Sequence, residues 1–198
     1  NFIDMSSVSY QDKRNKLKAL STTKQASIAL IIPTTSRGFT NDNIEATPLI
    51  NIMLNSFSNS ILPEESEKYA FRFFIGYDHD DSFYLNSDNR KKIAYAFRKN
   101  LRGLDIRIQF CCFQNPSHSP VLAWNYLFDW AYQAGCDYFY QIGDDITFIS
   151  KGWASAFIQT FKEQLPNHCG LTGAQDLNNP QLMTQAFVSR KHKEIFGS

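Results

Sequence analysis
The chain has 198 residues, of which 43% are hydrophobic and 20% charged, with a net charge of +1. This length supports one domain with a sizeable core, and the composition is that of a globular rather than a disordered chain. Near-neutrality leaves no global field that would favour nucleic acid or an anionic membrane. The longest apolar run, IALIIP, is far short of the roughly 20 residues that span a bilayer.

Asn1 stands where Met would open a complete chain, so the sequence is expected to be an excerpt, with an upstream targeting segment or anchor left open. Residues 6–20, polar with spaced apolar positions, read as an N-terminal surface helix in an extension covering 1–26. A buried strand, SIALII (27–32), breaks at Pro33. Thr47 and Pro48 mark the N-cap and first turn of a helix running to Ile61. YAFRFFIGY (69–77) is a second strand followed by the acidic loop DHDD, and a helix covers 87–100. DIRIQFCCF (105–113) alternates as a third strand. Ser119, Pro120 and Gly135 bound the next helix at its cap, first turn and stop. CDYFYQI is a fourth strand, 150–165 a further helix, and CGLTG and MTQAFVSR two more strand candidates. The four cysteines, Cys111, Cys112, Cys136 and Cys169, lack metal-type spacing and are expected to be free thiols, mostly buried. Asn115 precedes Pro116, so no glycosylation sequon forms; the compartment stays open between cytoplasm and Golgi lumen.

Strands alternating with amphipathic helices imply an α/β domain, Rossmann-like, with a mainly parallel central sheet covered on both faces. Right-handed crossovers then gather the strand ends on one rim, where open α/β sheets bind ligands. PTTSR, GYDHDD and GDD all follow strands and share that rim. Asp144 and Asp145 end an apolar strand, which fixes their place while their carboxylates reach the cleft. Oxygen ligands of this kind suit Mg²⁺ or Mn²⁺. Two adjacent acids alone would more often make a solvated turn; the strand and helix before them favour the metal. Asp78 directly follows its strand and is well placed to accept from a nucleobase, whereas His79, Asp80 and Asp81 read as an exposed loop. The hydroxyls and Arg37 of PTTSRG suit phosphate, although neither a P-loop nor a G-x-G-x-x-G is present. Trp124, Trp130 and Trp153 are read chiefly as packing residues, with Trp153 a lesser candidate to line an acceptor cleft.

The ordered set IIPTTSR, GYD and SPVLAWNYLFDWAYQAGCDYFYQIGDD resembles the donor half of GT-A-fold, family-two-like glycosyltransferases over residues 27–197. The resemblance implies that Pro33, Thr34, Arg37, Asp78 and Asn125 line the nucleotide pocket. Asp145 would ligate the metal, and Asp144 would assist with metal, ribose or phosphate. AWN stands where ARN is usual, and Gly143 takes the first acid's place in the DxD-type motif, leaving one carboxylate fewer. The family's acceptor half would follow Gly197, so the domain over 27–198 is expected to be cut before it or completed by another domain.

The expected function is metal-dependent transfer of a sugar from a UDP- or GDP-linked donor to a glycan or other hydroxyl acceptor. Asp145 carries the electrostatic role and Asp176, just beyond a strand in GAQD, is the weaker candidate for acceptor contact. Asp176 also reads as a loop acid capping a turn. A sugar-nucleotide pyrophosphorylase is the first alternative, though it would carry a glycine-rich loop. A non-catalytic sugar- or nucleotide-binding domain is the second.

Overall fold
The computed structural model describes residues 3–4, 23–38, 43–115, 118–181 and 183–196. The helix expected over 6–20 lies outside them. The strands are β1 (Ile3–Asp4), β2 (Ala26–Pro33), β3 (Tyr69–Asp78), β4 (Asp105–Phe113), β5 (Tyr138–Gln141), β6 (Leu171–Thr172) and β7 (Phe187–Ser189). They form one sheet in the order β1-β4-β3-β2-β5-β7-β6. The pairs β1–β4, β4–β3, β3–β2 and β2–β5 are parallel, while β5–β7 and β7–β6 are antiparallel. The chain is therefore α/β and Rossmann-like, with helices on both faces of a mainly parallel sheet.

The apolar runs of β2 and β3 follow from this double cover, because both sides of each strand need a hydrophobic residue. Along β2, Ile28, Leu30 and Ile32 enter one core, and Ala29 and Ile31 enter the other. Successive strand side chains point to opposite faces, which produces this split. The larger core is closed by α1 (Asn55–Ser60), α4 (Ser87–Asn100) and α6 (Trp153–Glu163) through Phe57, Phe97 and Phe161. The smaller core is closed by α5 (Pro120–Gln133) through Leu127, Ala131 and Ala134 at its end. Gly135 adopts φ +83°, the left-handed stop the sequence implies.

Three local features differ from the sequence reading. The helix expected from Thr47 begins as a π-helical stretch, Leu49–Leu54, running into α1. Thr47 does not cap it: its hydroxyl donates back to the Ile44 carbonyl at 2.7 Å. Two short helices, α2 (Pro63–Lys68) and α3 (Ser82–Leu85), add to the predicted set. Asp81, expected in an exposed loop, is buried and caps α3 by accepting from the Tyr84 amide. The four cysteines form no disulfide; Cys111 and Cys136 are buried and the other two half-buried. Burial among apolar neighbours pushes the Cys136 thiol up to about 12, so it is inert packing. The last helix is α7 (Arg190–Phe196). No helix among the described residues is long and apolar enough to cross a membrane.

Candidate functional site
From β2 the chain steps outward through β3 and β4, then crosses back by α5 to β5 on the other side of β2. The connections leaving β2 and β5 therefore run in opposite senses, and their carboxyl ends open a crevice of the kind that binds ligands in α/β sheets. PTTSR and GDD meet there. Thr34 Oγ1 donates to Asp144 Oδ2 at 2.6 Å and shares a 2.7 Å hydrogen bond with the Tyr84 hydroxyl. Burial raises the Tyr84 pKa well above its ordinary value, so the phenol stays protonated. A second clamp lies beside the first: Asp81 accepts from the Ser36 amide at 2.7 Å and its hydroxyl at 2.8 Å. The loops after β2, β3 and β5 are thus tied together by side chains.

A cavity of about 240 Å³ sits over this junction, lined by Pro33, Thr34, Arg37, Asp78 and Asp144 together with Gly76 and Gly143. Five residues chosen from the sequence for nucleotide or metal contact are therefore brought together. Glycine at 76 is what lets α5 approach β3 here. A Cβ would lie 2.7 Å from Phe113 and 2.8 Å from Leu127. His118, Asn115, Ser119 and Trp124 complete the wall. They were not selected from the sequence, yet the rule that strand ends share one rim applies equally to NPSHS after β4. Asn115 accepts from the Ser119 amide and donates to the Ser119 carbonyl, which ties it to the start of α5. Ser119 stands at the N-cap of α5, but its side chain makes no capping bond.

Asp78 is nearly buried and accepts from Arg37 at 3.2 Å, and its Oδ2 lies 3.1 Å from His118 Nδ1. Arg37 also reaches Asp80 at 3.2 Å, so the guanidinium chosen for phosphate is held by two carboxylates. Asp78, Asp80 and His118 offer ligand atoms within 4.8 Å of one another, a spacing that could hold a cation. His79 and Asp80 are exposed, as the sequence implies.

The two acids of GDD face different spaces. Asp144 borders the 240 Å³ cavity, and Asp145 borders a second one of about 740 Å³ with Tyr140, Phe148, Trp153 and Asp176. Burial, opposed by the Thr34 hydrogen bond and reinforced by the Asp145 charge, lifts the Asp144 carboxyl to about 6. Asp145 is exposed. Gly143 matters to its direction, because a Cβ there would lie 2.6 Å from Asp145 Oδ1. Asp176 accepts from the Asn178 amide at 2.8 Å and from the Thr184 hydroxyl at 2.9 Å, which lowers its pKa. It is thus a turn-capping acid that also borders the larger cavity. Trp153 is both buried packing and cavity wall.

Asn125 stands apart from this group. It borders a third cavity, on the far side of Trp124. Trp124 donates its indole N–H to the Ile142 carbonyl at 3.1 Å, bracing the backbone one residue before Gly143.

No family model matches the chain, and no curated protein matches it. Among solved structures, a cytidylyltransferase from Leptospira borgpetersenii serovar Hardjo-bovis aligns with a TM-score of 0.47 and 12% identity. The alignment covers 87% of this chain and 63% of that one.

Proposed function
We propose that the chain binds a nucleotide-diphosphate sugar at the β2/β5 crevice with a divalent cation, and transfers the sugar to a hydroxyl acceptor. The observation that carries this reading is the GDD turn, which presents Asp144 to one cavity and Asp145 to its larger neighbour. A group transferred between two substrates needs two adjoining spaces with a charge-stabilising centre at their border.

The fit to Mn²⁺ or Mg²⁺ rests on the electrostatics of the rim. Asp78, Asp80, Asp144 and Asp145 outnumber the guanidinium of Arg37 around it, so a diphosphate would meet repulsion without an intervening cation. Asp144, lifted by burial and by its neighbour's charge, gains from a cation that removes both penalties. Asp145 would ligate it, with Asp144 Oδ1 beside it because Oδ2 is engaged by Thr34. When bound, the metal supplies charge neutralisation to a departing diphosphate. Thr34 and Tyr84 orient Asp144, Trp124 and Gly143 fix the turn, and Asp78 borders the same cavity, where it would meet a base. Asp176, braced by Thr184, would receive acceptor hydroxyls on the other side.

Nucleotidyl transfer, the pyrophosphorylase class, is a second reading favoured by one observation. The Asp78–Asp80–His118 group offers another cation position on the nucleotide side, and paired cations suit displacement at phosphorus. The two readings differ in products. With UDP- or GDP-sugar and Mn²⁺, transfer or slow hydrolysis releases the nucleoside diphosphate. With a nucleoside triphosphate and a sugar 1-phosphate, nucleotidyl transfer releases pyrophosphate. Release of pyrophosphate without turnover of any nucleotide sugar would replace the first reading by the second.

A further inference from the structure
The third cavity, of about 140 Å³, lies on the smaller-core face between β2, β5 and β7, under α5 and α7. One water needs roughly 10–15 Å³ of such space, so this cavity accommodates a larger guest. Its floor is apolar, with Ile31, Phe139 and Val188, while Asn125, Gln141 and His192 bring polar side chains to the same space. No Lys, Arg, Asp or Glu lines it. His192 is half-buried at the edge of this space.

We infer that this cavity is a separate binding site for a small, neutral, planar heterocycle carrying both hydrogen-bond donors and acceptors. Neutrality follows from the uncharged lining, because an ion here would lose its hydration without a counter-charge. Planarity follows from the aromatic share of the lining, which Trp124, Phe128 and Phe139 supply. Mixed donors and acceptors match the two carboxamides and the imidazole. Trp124 is a wall shared with the 240 Å³ cavity, and its indole braces Ile142 before GDD. Its indole N–H is therefore placed to report a guest in this cavity. The inference does not rest on the proposed transferase chemistry.

The test is an NMR titration of the ¹⁵N-labelled chain with cytosine, nicotinamide and toluene, following the Trp124 indole N–H, assigned with Trp124→Phe. Cytosine or nicotinamide should move that signal with a dissociation constant at or below about 10 mM, as befits so small a ligand. His192→Leu should weaken binding about tenfold by removing a polar group from the lining. Ala186→Phe, which fills the space, should abolish it, and Asp78→Ala, in the other cavity, should leave it unchanged. Folding of each variant is read from the same spectra. No shift with either heterocycle, an equal response to toluene, insensitivity to His192→Leu or to Ala186→Phe, or loss of binding in Asp78→Ala would each overturn the assignment.

Discussion

Asp144→Asn separates stability from function at the centre of the site. In the folded chain the Asp144 carboxyl titrates at about 6 rather than its ordinary 3.8, chiefly because it is buried. An acid raised in the folded state holds its proton more tightly there than in the unfolded chain. Its contribution therefore favours folding at low pH and is lost as pH rises from about 4 to about 6, then stays constant. That rise, from 3.8 to about 6, corresponds to about 3 kcal/mol of destabilisation at neutral pH. Asparagine carries no charge and can still accept from Thr34, so the variant should be the more stable above pH 6. For a chain of this size the gain corresponds to roughly 5–10 °C in Tm. Thermal unfolding of both proteins by circular dichroism from pH 4 to 8, without metal, reads this directly. The two curves should nearly coincide at pH 4 and separate through pH 6. A gap independent of pH, or a less stable variant at pH 8, would refute the argument that burial of this carboxylate stresses the fold.

Other outcomes follow from the same geometry. Asp81→Ala removes the α3 cap and both Ser36 hydrogen bonds, and should lower stability by about 2 kcal/mol in urea unfolding. Gly76→Ala pushes a methyl against Phe113 and Leu127 and should cost about 1–3 kcal/mol in the same assay. Gly143→Ala crowds Asp145 Oδ1, and should weaken metal-dependent nucleotide binding at least tenfold by calorimetry with Tm little changed. Thr34→Val leaves Asp144 without its donor and should raise its carboxyl pKa further, measurable by ¹³C NMR titration.

The sheet and its rim were legible because apolar strands ending in hydroxyls or acids carry a signal within a few residues. Ala26–Pro33 and Tyr69–Asp78 are nearly unbroken apolar runs, and Gly135 and Pro120 bound α5 as the sequence implies. Asp81 was not legible. Its partner Ser36 lies 45 residues away, and an acid in DHDD reads locally as solvated. Thr47 had the local form of a cap but found a nearer acceptor in Ile44. The reversal at β6 and β7 escaped because strands of two and three residues carry no pattern that sets direction. Asn125 follows Trp124 by one residue, about 100° round a helix, which is enough to take it out of the nucleotide cavity. Position on a helix face, rather than the motif's spelling, decided which of the two could serve the cleft.

The central claim is that GDD holds a cation for a nucleotide diphosphate, and isothermal calorimetry with UDP and GDP tests it most directly. The account predicts binding by the intact chain that requires Mn²⁺ or Mg²⁺, disappears with chelator, and is abolished in Asp145→Asn while Asp80→Asn changes affinity by no more than a few-fold. Binding that is equal with and without metal, or metal dependence lost in Asp80→Asn and kept in Asp145→Asn, would contradict it. The second result would move the cation to the Asp78–Asp80–His118 group.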